Sequence, residues 1–127
     1  MTTPAPGTLA WFEVATDDPD GAQKFYGSLF DWTFEGPDPS SGMDYRNIKA
    51  SGAETPMGGL FGTKGQLPGH AVFYILVADV AATCTDAEQL GGSVISKHLD
   101  PGPGAPAFAY LRDPSGNQFG VFTPPAA

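Results

Sequence analysis

Few side chains in this sequence could carry chemistry. There are two histidines, His70 and His98, and one cysteine, Cys84. Glu13 lies in the alternating stretch Trp11-Phe12-Glu13-Val14-Ala15, where a strand would turn it to the same face as Trp11. A carboxylate inside a sheet needs a partner or a raised pKa. Glu13 could therefore act as a general base, anchor a ligand cation, or pair with a hydroxyl such as that of Tyr74. His70 suits acid–base work near neutral pH and could join Glu13 if its strand starts early. The competing reading is an exposed histidine at a strand edge after Pro68-Gly69. His98 lies beside a loop. Cys84 falls within a helical pattern with no His, Asp or basic neighbour to activate it, and reads as a small core residue. No G-x-S-x-G elbow and no G-x-G-x-x-G after a strand is present. Gly-Pro-Gly at 102–104 lacks a donor for phosphate.

The elements that position these residues repeat. WFEVATDDPDGAQKFYGSLFDW (11–32) reads as a strand, a helix and the start of a second strand. Asp17 and Asp18 offer N-caps and Pro19 takes the first helical position. Ala22, Phe25, Tyr26 and Leu29 follow the i, i+3, i+4, i+7 spacing that predicts one buried helix face. VFYILVADVAATCTDAEQLGGSV repeats the plan at an offset of 61, which sets Asp79 on Asp18, Val72 on Trp11, Tyr74 on Glu13, Gly120 on Gly59 and Phe122 on Phe61. One offset carrying a helix start and a distant strand signals an internal duplication. The expected order is βαβββ twice, an α+β fold. Strands are expected at about 9–15, 32–35, 45–50, 57–61, 70–77, 93–97, 107–112 and 118–122, and helices at about 19–29 and 80–90. Gly91 is the expected helix end, and 62–69 the linker between module one (about 9–61) and module two (about 70–123) of a single domain.

Strand parity assigns the faces. Phe12 and Val14, with Phe73, Ile75 and Val77, are expected under the helices. The opposite face then carries Trp11, Glu13, His70, Val72, Tyr74, Leu76, Met57, Gly59, Phe61, Gln118, Gly120 and Phe122. It is expected to line a concave small-molecule site in which the two glycines leave space or allow close backbone approach. The loop at 100–106 could act as a flap.

The chain has 127 residues, 17 glycines, 13 prolines and a net charge of −8. That charge argues against nonspecific nucleic-acid binding and against an anionic membrane surface. A single cysteine excludes an internal disulfide. No apolar run approaches a membrane span, and the N-terminus lacks a signal-peptide pattern, so the cytoplasm is expected.

The motifs TDDPDGAQKFYGSLFDW, VADVAATCTDAEQLGG and LRDPSGNQFGVF resemble the vicinal oxygen chelate superfamily, which includes glyoxalase I, extradiol dioxygenases and bleomycin-resistance proteins. The resemblance covers about residues 9–123. It implies paired βαβββ modules forming an open barrel-like cleft, often in a homodimer. It also implies a divalent metal held from the first and last strand of each module. Those four positions are Trp11, Gly59, Val72 and Gly120 here, and none has a ligating side chain. The expectation is a protein without cofactor that binds an apolar, aromatic or cationic small molecule through Trp11, Glu13, Phe61, Tyr74 and Phe122. The alternatives are a lyase, isomerase or dioxygenase with a divalent metal relocated to Glu13 and His70, or metal-free acid–base catalysis through Glu13. A third is a module whose cleft is filled by its own side chains.

Overall fold

Each half of the chain begins with a strand that runs into an aspartate-capped helix. The computed structural model describes residues 5–37, 39, 42–65, 69–100 and 105–124. The flap expected at 100–106 and the linker at 62–69 therefore lie partly outside the described residues. The chain divides into two compact units. One is Trp11–Ala71. The other is Val72–Ala127 with the N-terminal segment that ends at Ala10.

In the first unit, β1 (Leu9–Thr16) leads into α1 (Pro19–Phe30). The Asp18 carboxylate accepts the Gly21 N–H at 3.0 Å and Pro19 follows at the helix start, so local chemistry sets this end. β2 (Thr33–Glu35), β3 (Tyr45–Lys49) and β4 (Gly58–Gly62) complete a mixed sheet in the order β2-β3-β4-β1. β4 lies parallel to β1, with Glu13 opposite Gly59. In the second unit β5 (His70–Leu76), α2 (Val80–Gln89), β6 (Ser93–His98), β7 (Ala107–Arg112) and β8 (Gln118–Thr123) repeat the plan in the order β5-β8-β7-β6. β8 lies parallel to β5, with Tyr74 opposite Gly120. The pair Glu13/Gly59 thus maps onto Tyr74/Gly120 at the same offset of 61, so the duplication holds at the level of strand register. Asp79 caps α2 through the Ala82 N–H at 3.1 Å. Gly91, at φ +97°, follows the cap residue Leu90, and the Gly92 N–H returns to the Ala87 carbonyl at 2.8 Å.

The α+β architecture and the face assignment follow the sequence expectation. Phe12 packs on Trp32, which stacks on Tyr26 of α1. Ile75 and Val77 pack on the second unit's core of Val80, Cys84, Ala109, Leu111 and Val121. Two details differ. Phe73 shares the helix-side parity yet is 44% exposed, stacked on Phe119, which itself packs against the second core. α1 buries no residue fully, and Phe25 and Leu29, expected on its inner face, are 61% and 59% exposed. The helix is rotated by about one residue. Gln23 turns inward to accept a hydrogen bond from Arg46 at 2.8 Å, and Gly27 lets the helix approach the Trp32 carbonyl. The inner stripe is thus Ala22, Gln23, Tyr26 and Gly27, a mixed set that apolar spacing does not reveal.

Arg46 ties α1 to the sheet. Its guanidinium donates to both Asp44 oxygens (2.8 and 2.9 Å), to Asp20 (2.8 Å) and to Gln23 (2.8 Å). The Arg46 hydrogen bond holds the Asp44 carboxyl below the ordinary carboxylate range, against the opposing effect of burial. Cys84 is fully buried in the second core. Burial pushes its thiol up, Lys97 opposes this, and Glu88 adds to it. We expect a disulfide reagent to modify Cys84 about a thousandfold or more slowly in the native protein than in urea, at a rate set by opening of this unit.

Candidate functional site

The helix-free sheet face of each unit carries an aromatic cluster built around a glycine. In the first unit the glycine is Gly59 on β4. A Cβ atom there would collide with the hydroxyl and ring of Tyr45, which reaches over from β3. The Tyr45 hydroxyl accepts the Trp11 indole N–H at 3.0 Å, and its ring lies 6.3 Å from that of Phe61. Glu13, whose Cα faces that of Gly59 across the strands, is 5% exposed. It is the single buried carboxylate among the described residues.

In the second unit the glycine is Gly120 on β8. A Cβ atom there would lie 2.5 Å from the ring of Tyr74 on β5. The hydroxyls of Tyr74 and Tyr110 share a hydrogen bond of 2.6 Å. Phe122 and Tyr110 meet the Tyr74 ring edge-on at 6.3 and 5.8 Å, Phe108 meets Tyr110 at 5.8 Å, and His98 stacks on Phe108 at 4.4 Å. These T-shaped pairs place positive ring edges on negative ring faces.

The expected ligand-binding set therefore falls into two groups. Trp11, Glu13 and Phe61 belong to the first unit, with Tyr45 joining Trp11 to Phe61; Tyr74 and Phe122 touch each other in the second. The glycines were expected to leave space or to allow close backbone approach; each admits a tyrosine ring instead, so the space expected at these two positions is filled. Tyr45, Phe108 and Tyr110 were not singled out from the sequence. Strand parity could have found them, because Tyr45 sits opposite Phe61 in the β3–β4 register and Phe108 and Tyr110 sit opposite Phe122 and Gly120 in the β7–β8 register.

The donor set does not fit a divalent metal. Of the four positions implied by the resemblance, Trp11 and Val72 carry indole and alkyl groups, and Gly59 and Gly120 lie beneath tyrosine rings. No three His, Cys, Asp or Glu side chains gather among the described residues, so His70 and Glu13 have no third ligand of these types. His70 opens β5 and is half-buried, rather than exposed at a strand edge. The DPSGN motif is structural. Asp113 accepts the N–H groups of Ser115 and Asn117 at 2.9 Å and Gly116 supplies φ +91°, which together make a turn. No helix among the described residues is long and apolar enough to cross a membrane.

Comparison with known proteins adds the family. The model of the glyoxalase-like domain matches residues 11–122. A Mycobacterium tuberculosis protein, CFP32, provisionally named a glyoxylase, is 37% identical over 124 residues, covering 93% of this chain and 44% of its own length. A glyoxylase-like domain-containing protein of Didymella fabae is 32% identical, covering 94% of this chain and 95% of its own. The chain thus spans less than half the length of the mycobacterial relative. Among solved structures, methylmalonyl-CoA epimerase from M. tuberculosis is similar with a TM-score of 0.63 at 14% identity, over 99% of this chain and 93% of that one. The Mn(II)-bound glyoxalase from Novosphingobium aromaticivorans is similar with a TM-score of 0.62 at 20% identity, over 93% of this chain and 39% of that one. At these identities the structures speak to the fold alone. With its βαβββ repeat in register and the family model matched across both units, the chain belongs to the glyoxalase-like domain family of the vicinal oxygen chelate superfamily.

Proposed function

We propose that this chain is a small-molecule-binding domain that takes planar aromatic ligands on its tyrosine-bearing sheet faces, without metal chemistry. One observation carries the reading. Two of the four strand positions where a ligating side chain would stand are glycines roofed by Tyr45 and Tyr74, and the other two are Trp11 and Val72, so the local chemistry offers ring faces and ring edges in place of metal ligands. Supporting it, an anthracycline biosynthesis protein, DauV, of Streptomyces sp. strain C5 is 30% identical over 96% of this chain and 49% of its own length. Anthracyclines contain a planar fused-ring system. The resemblance further supports a homodimer, which sedimentation equilibrium tests.

The experiment is a pair of titrations. A hydroxyanthraquinone should raise the melting temperature in a dose-dependent way, while Mn²⁺, Ni²⁺, Zn²⁺ and Fe²⁺ should each fail to bind stoichiometrically. Retention of about one metal per chain after desalting would overturn the reading.

Glu13 favours a second reading. A buried carboxylate registered against a glycine is placed to abstract a proton from a substrate in a lyase or isomerase reaction. Under that reading, turnover found in a screen of 2-oxoaldehydes falls by about a hundredfold or more in Glu13→Gln, with far-UV circular dichroism unchanged. Turnover that survives the substitution removes Glu13 from catalysis.

A further inference from the structure

We propose that Tyr45 is a displaceable occupant of a phenol-binding site in the first unit. The inference rests on the reading that this chain binds aromatic small molecules, and it names the site and the ligand class.

The surroundings of Tyr45 are those of a bound phenol. Its hydroxyl accepts the Trp11 Nε1–H at 3.0 Å, Gly59 forms a floor on which no side chain could stand, and Phe61 forms a wall at a ring distance of 6.3 Å. A free phenol offers the same three features: a hydroxyl oxygen that accepts from indole, a flat face for glycine backbone, and a ring for phenylalanine. Tyr45 is only half-buried, so its ring can leave by side-chain rotation. The counterpart in the second unit cannot do this as readily. Tyr74 is 6% exposed, and its ring is enclosed by Tyr110, Phe122 and Gly120.

The backbone around Tyr45 is built to stay still while the side chain moves. Asp44 and Arg46, its neighbours, point to the opposite face and are locked to α1 through Asp20 and Gln23. Gly62 N–H also donates to the Asp44 carbonyl at 2.7 Å, and β3 pairs with β4 from Tyr45 to Ile48. Rotation of Tyr45 therefore vacates a ring-sized space without unfolding the strand. A competing internal ligand lowers apparent affinity by the fraction of time it is out. Removing it should raise affinity by that factor.

Phenol and toluene are the probes, with wild-type protein, Tyr45→Ala and Tyr45→Ala/Trp11→Phe. Heteronuclear NMR follows the Trp11 Nε1–H resonance, identified by its loss in Trp11→Phe. Saturating phenol should shift this resonance in the wild type, and Tyr45→Ala should bind phenol about tenfold more tightly or better. Tyr45→Ala should also prefer phenol to toluene, and Trp11→Phe should erase the preference. If Tyr45→Ala does not fold, Tyr45→Leu and the wild-type titration carry the test. Equal affinity of folded variant and wild type for phenol, equal affinity of the variant for phenol and toluene, or an unmoved Trp11 resonance in the wild type would each overturn the proposal. If the wild type binds hydroxyanthraquinone while one of these occurs, this site falls and the broader reading stands. If no aromatic binds any of the proteins, both fall.

Discussion

Gly120→Ala should destabilise the protein by about 2–3 kcal/mol, because one methyl group is driven into a packed ring. The added Cβ would lie 2.5–3.0 Å from the Cε2, Cδ2 and Cγ atoms of Tyr74, the body of the ring rather than its tip. Tyr74 is 6% exposed and braced by Tyr110 and Phe122, so it has nowhere to go without breaking the 2.6 Å hydroxyl bond. Thermal unfolding should show a melting temperature lower by roughly 10 °C. A double-mutant cycle identifies the cause. In a Tyr74→Ala background, where the ring is absent, Gly120→Ala should cost almost nothing further. Gly59→Ala makes an informative contrast. The group in its way is the hydroxyl end of the half-buried Tyr45, which can swing outward. Its expected cost is smaller, about 1–2 kcal/mol, because a half-buried ring can move aside at the expense of contacts that include the Trp11 hydrogen bond and the Phe61 ring. Equal losses at both glycines would show that the tyrosines are equally fixed, against the asymmetry drawn from their burial.

Asp44→Ala should cost about 2–3 kcal/mol, and Arg46→Met less. The Arg46 side chain is 9% exposed, and Asp44 supplies two of its four hydrogen bonds. Without Asp44 a buried guanidinium keeps Gln23 and Asp20, and Asp20 is 92% exposed, a weak partner in high dielectric. Arg46→Met removes the buried charge together with the need for partners, and the freed carboxylates reach water. Chemical denaturation of the two variants ranks them. The pH dependence follows from the same contact. Asp44 titrates lower in the folded protein than in the unfolded chain. Its contribution is thus fully present above the ordinary carboxylate pKa, about 3.9, and is lost as pH falls through the depressed folded value. Wild-type stability should drop below about pH 4 more steeply than that of Asp44→Ala. Parallel acid limbs would mean that Arg46 does not hold Asp44 in its charged form.

The element order, the offset of 61 and both helix starts were legible in the residues because each is set locally. An aspartate caps the N–H three residues on, proline fixes the first helical turn, and alternation fixes which side of a strand faces a helix. The chemistry of the glyoxalase-like positions was legible too, since Gly59 and Gly120 carry no side chain whatever the fold does with them. Tertiary structure decided the rest. The rotation of α1 depends on Arg46, 23 residues from the Gln23 it binds, and no periodicity within the helix encodes that distance. The fate of the two glycine sites depends on register between strands far apart in sequence. β3 carries Tyr45 to Gly59 in one unit, and β5 carries Tyr74 to Gly120 in the other. The sequence alone made the positions empty. Non-local packing filled them with tyrosine, because a ring over a glycine buries more apolar surface than a void would.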